Sequence, residues 1–210
     1  MTTKRKKKDF SSDRATAYAQ AVINGDTVTG PYVRAACQRH LDDLEHAGER
    51  GYYYDEHEAA EGIAFFEEVL HLNGGQYEGN PFTLFPWEAF IVGSLFGWKR
   101  KRDKMRRFRV AYVEGPKGCG KSPIAGGIGL KGLCADQEPR AEIYAAATMR
   151  DQAMILFRDA VAMYEQSPLL EKRLVSSGVG EKCWNLSHLE SGSFFRVISS
   201  DKKQSGPRVS

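Results

Sequence analysis

Gly115, Gly120, Lys121 and Ser122 stand at the spacing G-x-x-x-x-G-K-[ST] inside the stretch VEGPKGCGKS. That pattern belongs to loops whose backbone N–H groups wrap the phosphates of a nucleotide. Glycine is required where any Cβ would intrude on the phosphate oxygens, and a helix starting at the loop's end adds the positive end of its dipole. Pro116, Lys117, Gly118 and Cys119 complete the loop. In such chemistry the Lys121 ammonium reaches the β and γ phosphates and follows the charge that moves onto the leaving group, while the Ser122 hydroxyl completes a magnesium shell. The expected cofactors are therefore ATP and Mg2+. A glycine-rich turn that binds nothing satisfies the same four positions, so the flanking elements must decide.

The loop needs a strand before it and a helix after it. Residues 108–114, FRVAYVE, alternate and carry valine and aromatic side chains, which predicts the strand. Residues 121–134 predict the helix, whose Gly126, Gly127 and Gly129 cost helical stability but permit close packing on a sheet. AEIYAAAT, residues 141–148, predicts a second strand, and its continuous apolar character predicts burial on both faces. A further helix is expected over residues 150–165, with Ala153, Ile155, Leu156, Val161 and Met163 along it. This order is the start of an open parallel α/β sheet. Beyond Pro168 the pattern weakens, and CWNLS and SFFRVISS predict the two strands of a hairpin.

Upstream, the first hundred residues predict helices. The first runs from Asp13 to Ile23 with Ser11 or Ser12 as its cap, and Asn24-Gly25 closes it. The second opens at Pro31 with an apolar stripe of Val33, Cys37, Leu41 and Leu44. Residues 57–70 and 86–98 predict a third and a fourth, with a loop over residues 73–81 between them.

The chain has 210 residues and 41% hydrophobic content, enough for a real core in one domain or one with an appendage. It has neither a membrane-length apolar run nor a secretory leader pattern, so a cytoplasmic location is expected. Cys37, Cys119, Cys134 and Cys183 show no C-x-x-C spacing and are expected as free thiols. Cys37 with His40, and Cys183 with His188, invite a zinc reading, but their spacing favours packing roles. The formal net charge is only +3, yet the cations are clustered. Lys4 to Lys8 is an unbroken basic run, and residues 99–109 hold eight Lys or Arg against Asp103 alone. Each cluster is either a solvated surface or a set of phosphate contacts.

Beyond the glycine loop, the stretches VRAACQRHLDDL, FTLFPWEAFIVGSLFGWKR, RRFRVAYVEGPKGCGKS and YAAATMRDQAMILFRDA resemble the ATPase part of the large terminase subunit of tailed bacteriophages. The likeness extends over nearly the whole chain. It implies an ASCE-type P-loop NTPase fold of class α/β, here an incomplete parallel sheet preceded by a helical region. Residues 1–12 would be a basic disordered arm, 13–105 the helical region and 106–210 a partial ATPase core. Terminases are ATP-driven motors that move viral DNA into a procapsid and cut it with a separate nuclease domain.

Carried onto this chain, the resemblance gives Lys121 and Ser122 the phosphate and magnesium roles, and places Leu84, Pro86, Trp87 and Glu88 at the family's adenine-side motif. That motif usually ends in glutamine, and Glu88 can accept a hydrogen bond from adenine's amino group without donating one back. Trp87 could stack on the base or sit in the core. Lys117 stands where many terminases carry an arginine acting on the γ phosphate, and lysine supplies charge without the planar fork. The family's later strand ending in an acidic pair is not found between Ser122 and Ser210, since Glu142 starts a strand and Asp159 lies on a helix. The resemblance thus implies a chain cut just before its catalytic base, with two strands lacking their intervening neighbours. Implied partners are double-stranded viral DNA, the portal protein, the small terminase subunit and further copies in a ring, in the cytoplasm of an infected bacterium. A phosphotransferase of the nucleoside-kinase kind and a DNA-binding adaptor with a vestigial loop are the alternatives. A hundred residues ahead of the loop argue against the former.

Overall fold

The computed structural model describes residues 13–200 apart from Gln137. The basic arm expected over residues 1–12, the Ser11 or Ser12 cap and the segment 201–210 lie outside the described residues. The chain forms two compact units, Met1–Ala64 with Thr83–Tyr112, and Phe65–Phe82 with Val113–Ser210.

In the first unit, α1 (Arg14–Asn24) is capped by Asp13, whose carboxylate accepts from the Thr16 N–H at 2.8 Å. Gly25, at φ +90°, closes it as expected. α2 (Pro31–His46) opens on its proline, and of the stripe expected from Val33, Cys37, Leu41 and Leu44, Cys37 is buried and Leu41 and Leu44 are half-buried, with Leu41 against the core. Cys37, His40 and Asp43 are buried, whereas Val33 is 40% exposed. The polar residues tolerate burial because each has an internal partner. Asp43 is paired with Arg50, and with Arg107 at 2.6 Å. β1 (Tyr52–Tyr54) precedes α3 (Glu56–Ala64), and α4 (Pro86–Gly97) runs into β2 (Trp98–Arg100), which pairs antiparallel with β1. This small ladder interrupts a region whose pattern predicts helices alone.

His40 ties the unit together. The Trp98 indole N–H donates to His40 Nδ1 at 3.0 Å, so the ring's proton sits on Nε2 and is donated to Thr16 Oγ1 at 2.9 Å. The Thr16 hydroxyl then donates to Asp13, which also accepts from the Tyr54 hydroxyl at 3.1 Å. Burial pushes the His40 pKa down to about 4, which keeps the ring neutral near pH 7. Cys37 is buried beside Phe90 in the apolar cluster of α1 and α2, and burial raises its thiol to about 11.

The second unit begins with a π-helical turn, Phe65–Val69, followed by the expected loop, within which Gly75–Tyr77 makes a short 3-10 turn. α5 (Lys121–Cys134), β3 (Glu142–Ala147) and α6 (Arg150–Glu165) fall where the pattern predicts them. α7 (Pro168–Glu171) and β4 (Leu174–Ser177) precede the predicted hairpin of β5 (Asn185–His188) and β6 (Ser193–Ser199). The sheet order is β3-β6-β5-β4. β3 is parallel to β6, with Glu142 opposite Phe194, while β6, β5 and β4 pair antiparallel. The sheet is therefore mixed, because a hairpin has joined the strand that a parallel sheet begins with.

Two expectations are corrected here. Residues 108–114 form no strand, and Val110 and Tyr112 are each 85% exposed. Alternation gives a segment the capacity for a ladder, and a strand forms only where a second strand completes it. β3 is also not buried on both faces: Ala145 is buried, but Tyr144 is 42% exposed. α5 and α6 cover one face of the sheet, where Leu130, Leu133, Phe157, Met163, Leu186 and Phe195 form the core, and Tyr144 points to the other.

Candidate nucleotide-binding site

The glycine loop joins the second unit's extended entry, Val113 and Glu114, to the first turn of α5. Gly118 and Gly120 both adopt φ +83°, a conformation that costs a residue bearing a Cβ of the order of 1 kcal/mol or more. Gly120 is the N-cap of α5, and the first helical bond runs from the Ile124 N–H to the Gly120 carbonyl at 3.2 Å. The N–H groups of Gly120, Lys121 and Ser122 precede any intrahelical acceptor, and Pro123 has no N–H to satisfy. Three donors therefore converge at a positive helix end.

Lys121 folds back across the loop. Its ammonium donates to the carbonyls of Gly115 and Pro116, both at 2.6 Å, and approaches Cys119 Sγ at 3.4 Å. A Cβ added at Gly115 would stand 2.8 Å from that sulfur, so the turn has no room for a side chain there. Lys117 is exposed at the tip, and Ser122 is half-buried in the first turn. Backbone donors, an ammonium and a hydroxyl, with no carboxylate in the loop itself, form a set suited to an anion. They fit the phosphates of a nucleotide, with Ser122 as a ligand for its magnesium.

α5 is held against its surroundings by missing side chains. A Cβ at Gly129 would meet the Phe195 ring at 2.7 Å, one at Gly127 would meet Phe66 Cζ at 2.7 Å and Leu70 at 3.0 Å, and one at Gly126 would meet Met163 Cε at 3.0 Å. The sequence's expectation of close packing at these three glycines describes what they do. It is this contact that fixes the loop's helix on the sheet and α6.

The adenine-side candidates belong to the first unit. Leu84 is buried, and its carbonyl accepts from the Arg14 guanidinium at 2.8 Å. Pro86 is the first residue of α4. Glu88 is buried, and its carboxylate accepts from the Phe85 N–H at 2.8 Å, so it caps its own helix. Burial raises the Glu88 pKa, and the Phe85 bond partly offsets that. Trp87 is half-buried one residue away.

Glu142 accepts from the Tyr144 hydroxyl at 2.8 Å at the start of β3. Asp159 accepts from the Asn73 amide at 3.2 Å, and burial raises its pKa. The cysteine and histidine pairs have separate partners: Cys183 donates to the Asn185 carbonyl at 3.5 Å, and His188 Nδ1 meets Ser191 Oγ at 2.8 Å. No helix among the described residues is long and apolar enough to cross a membrane. The network around His40 went unseen in the sequence, because one histidine inside a helical pattern carries no signal of its partners.

A mixed α/β unit in which a glycine loop caps the helix packed on the sheet defines the class, that of a P-loop ATPase fold. Residues 86–202, more than half of the chain, match the family described as terminase large subunit, ATPase domain. The chain belongs to that family. The crystal structure of the HK97 bacteriophage large terminase matches with a TM-score of 0.56 at 22% identity, over 70% of this chain and 28% of that one. At that identity the likeness is one of fold, and this chain spans little more than a quarter of that protein's length. The comparison with curated proteins gives no match.

Proposed function

We propose that the chain is the nucleotide-binding motor part of a viral DNA-packaging terminase, binding ATP with magnesium through residues 115–122. The carrying observation is the pair of left-handed glycines, Gly118 and Gly120, that open α5 with Lys121 folded over the loop. Phosphate oxygens take the N–H groups of Gly120, Lys121 and Ser122, and the Lys121 ammonium exchanges its loop carbonyls for the β and γ oxygens. Ser122 supplies the magnesium ligand, and Lys117 adds charge at the γ end. Glu88 serves α4 structurally. In the assembled motor, copies of the full protein form a ring in the host cytoplasm with the portal protein and the small terminase subunit, and hydrolysis drives double-stranded DNA.

The test is equilibrium titration with a fluorescent ATP analogue and magnesium. Lys121→Ala is expected to weaken binding about tenfold or more while leaving the fold intact by circular dichroism. Equal affinity in the two folded proteins would remove the proposal. Steady hydrolysis by these 210 residues is expected near background, since Glu142 and Asp159 are bound elsewhere in the unit. Vigorous turnover that Lys121→Ala abolishes would point to Glu114 as the water-activating base.

A further inference from the structure

Residues 98–107 form a second, tighter turn in the first unit. The Arg100 N–H donates to the Met105 carbonyl at 2.9 Å, the Arg107 N–H to the Trp98 carbonyl at 2.8 Å, and Lys99 faces Arg106 in a bridge. Lys104, at φ +61°, makes the reversal, and the Asp103 carboxylate accepts from the Met105 N–H at 3.0 Å. The hairpin sorts its cations into two sets. The inner ones have acid partners from the rest of the unit: Lys99 pairs with Glu58 at 3.0 Å, and Arg107 with Asp43 at 2.6 Å. The outer ones, Lys101, Arg102 and Lys104, are exposed, as is Arg109 two residues beyond the turn. Asp103 is the one acid in that stretch, and it is shared between Arg100 and Arg102 at 3.0 and 3.2 Å. Lys101 donates to the Gly48 carbonyl at 2.7 Å, which steadies the side chain without neutralising it.

We infer that this outer row is a binding surface for the phosphate backbone of double-helical nucleic acid, independent of base sequence. Cations held close together on a pinned turn repel one another, and a polyanion relieves that repulsion while releasing counter-ions. The turn is already ordered, so little freedom is lost on binding. Single-strand recognition needs aromatic faces for the bases. Here the neighbouring rings are covered by their own cations: Lys104 lies 5.1 Å over Tyr53, Arg106 5.4 Å over Phe96, and Arg107 4.6 Å over Tyr52. What the turn itself offers a partner is chiefly charge, which suits backbone contact.

This inference rests on the terminase reading for its partner and locates the contact, so its test must separate the two. Binding of the full chain to a fluorescent duplex is followed by anisotropy across a salt series, with nucleotide binding measured on the same preparations. R102Q/K104Q/R109Q is expected to bind the duplex about tenfold more weakly at low salt and to flatten the log–log salt slope by about 3. It should bind nucleotide as before. Replacing Lys4, Arg5, Lys6, Lys7 and Lys8 by Gln should leave the hairpin-dependent loss in place. If the triple variant matches the parent in affinity and slope, the surface is wrong even though the DNA reading survives. A parent chain that ignores duplex at low salt overturns both, and equal variant-sensitive binding to polyglutamate without duplex binding would reassign the surface to an acidic protein.

Discussion

α2 and α5, one from each unit, bury opposite kinds of residue. α2 places His40 and Asp43 inside, each fixed by directed bonds to Trp98, Thr16, Arg50 and Arg107. α5 places Gly126, Gly127 and Gly129 inside, so that rings and helix backbone come within contact distance of its own backbone. The first unit is specified by polar groups that must find partners, and the second by volume that must stay empty. Acid and hydroxyl deletions should therefore attack the former, and added methyl groups the latter.

The largest effect is expected from acid. The His40 pKa is pushed down to about 4 in the folded chain by burial, against 6.5 for the free side chain, an effect that Arg39 and Arg107 reinforce and that Asp13 and Asp43 partly oppose. The unfolded chain thus binds the proton more readily, so stability is full above about pH 6.5 and is lost as the pH falls towards 4. The loss is on the order of 3 kcal/mol, and protonation would also set a ring N–H against the Trp98 indole N–H. Denaturant melts between pH 7 and 4, with hydrogen exchange resolving the two units, should show the drop in α1 and α2 first. A His40→Gln chain that retains the same pH step would detach the effect from this ring.

Next comes Gly127→Ala. The new Cβ would overlap the ring of Phe66, which is fully buried and has nowhere to turn, so a net destabilisation of about 2 kcal/mol is expected despite the gain in helix propensity. Gly126→Ala is the control that sharpens the comparison. Its Cβ would meet the end of Met163 at 3.0 Å and the α6 backbone at 3.3 and 3.4 Å, milder overlaps than the Phe66 ring, so the cost should be about 1 kcal/mol and clearly below that at Gly127. Equal costs at both positions would mean that helix propensity, and not the space around Phe66, sets the tolerance of α5.

A smaller effect should follow Tyr54→Phe. It removes one donor to Asp13 while the Thr16 N–H and hydroxyl remain, for a cost of about 1 kcal/mol read from the denaturant midpoint. An unchanged midpoint would exclude this hydroxyl from the network that holds the first unit.

α5 and α6 were legible from the sequence because their ends carry local signals. A glycine at φ +83° opens α5, and Arg150 to Glu165 keeps an unbroken helical pattern. The loop residues were legible for the same reason, since their spacing is the geometry. α2's face was legible only in part: Cys37 and Leu41 lie where the stripe has them, but hydrophobicity alone ranks Leu44 above His40 and Asp43 and cannot register a distant tryptophan or arginine. Residues 108–114 failed for the converse reason: their alternation is a capacity for pairing, and pairing depends on a second strand. The ladder of β1 and β2 escaped notice because three residues are too few for a period.

The parallel pairing of β3 with β6 sets an order of assembly. β4, β5 and β6 are joined by short connections, whereas Glu142 meets Phe194 only after α6, α7 and two strands have been threaded between them. Closing so long a span forfeits more chain entropy than closing either hairpin, so the antiparallel ribbon forms early and β3 zips onto its edge late. α5 packs on β3 and β6 together, which makes the glycine loop one of the last parts of the chain to acquire its shape. During synthesis, the fold that presents the loop waits for some seventy residues that follow it in the chain.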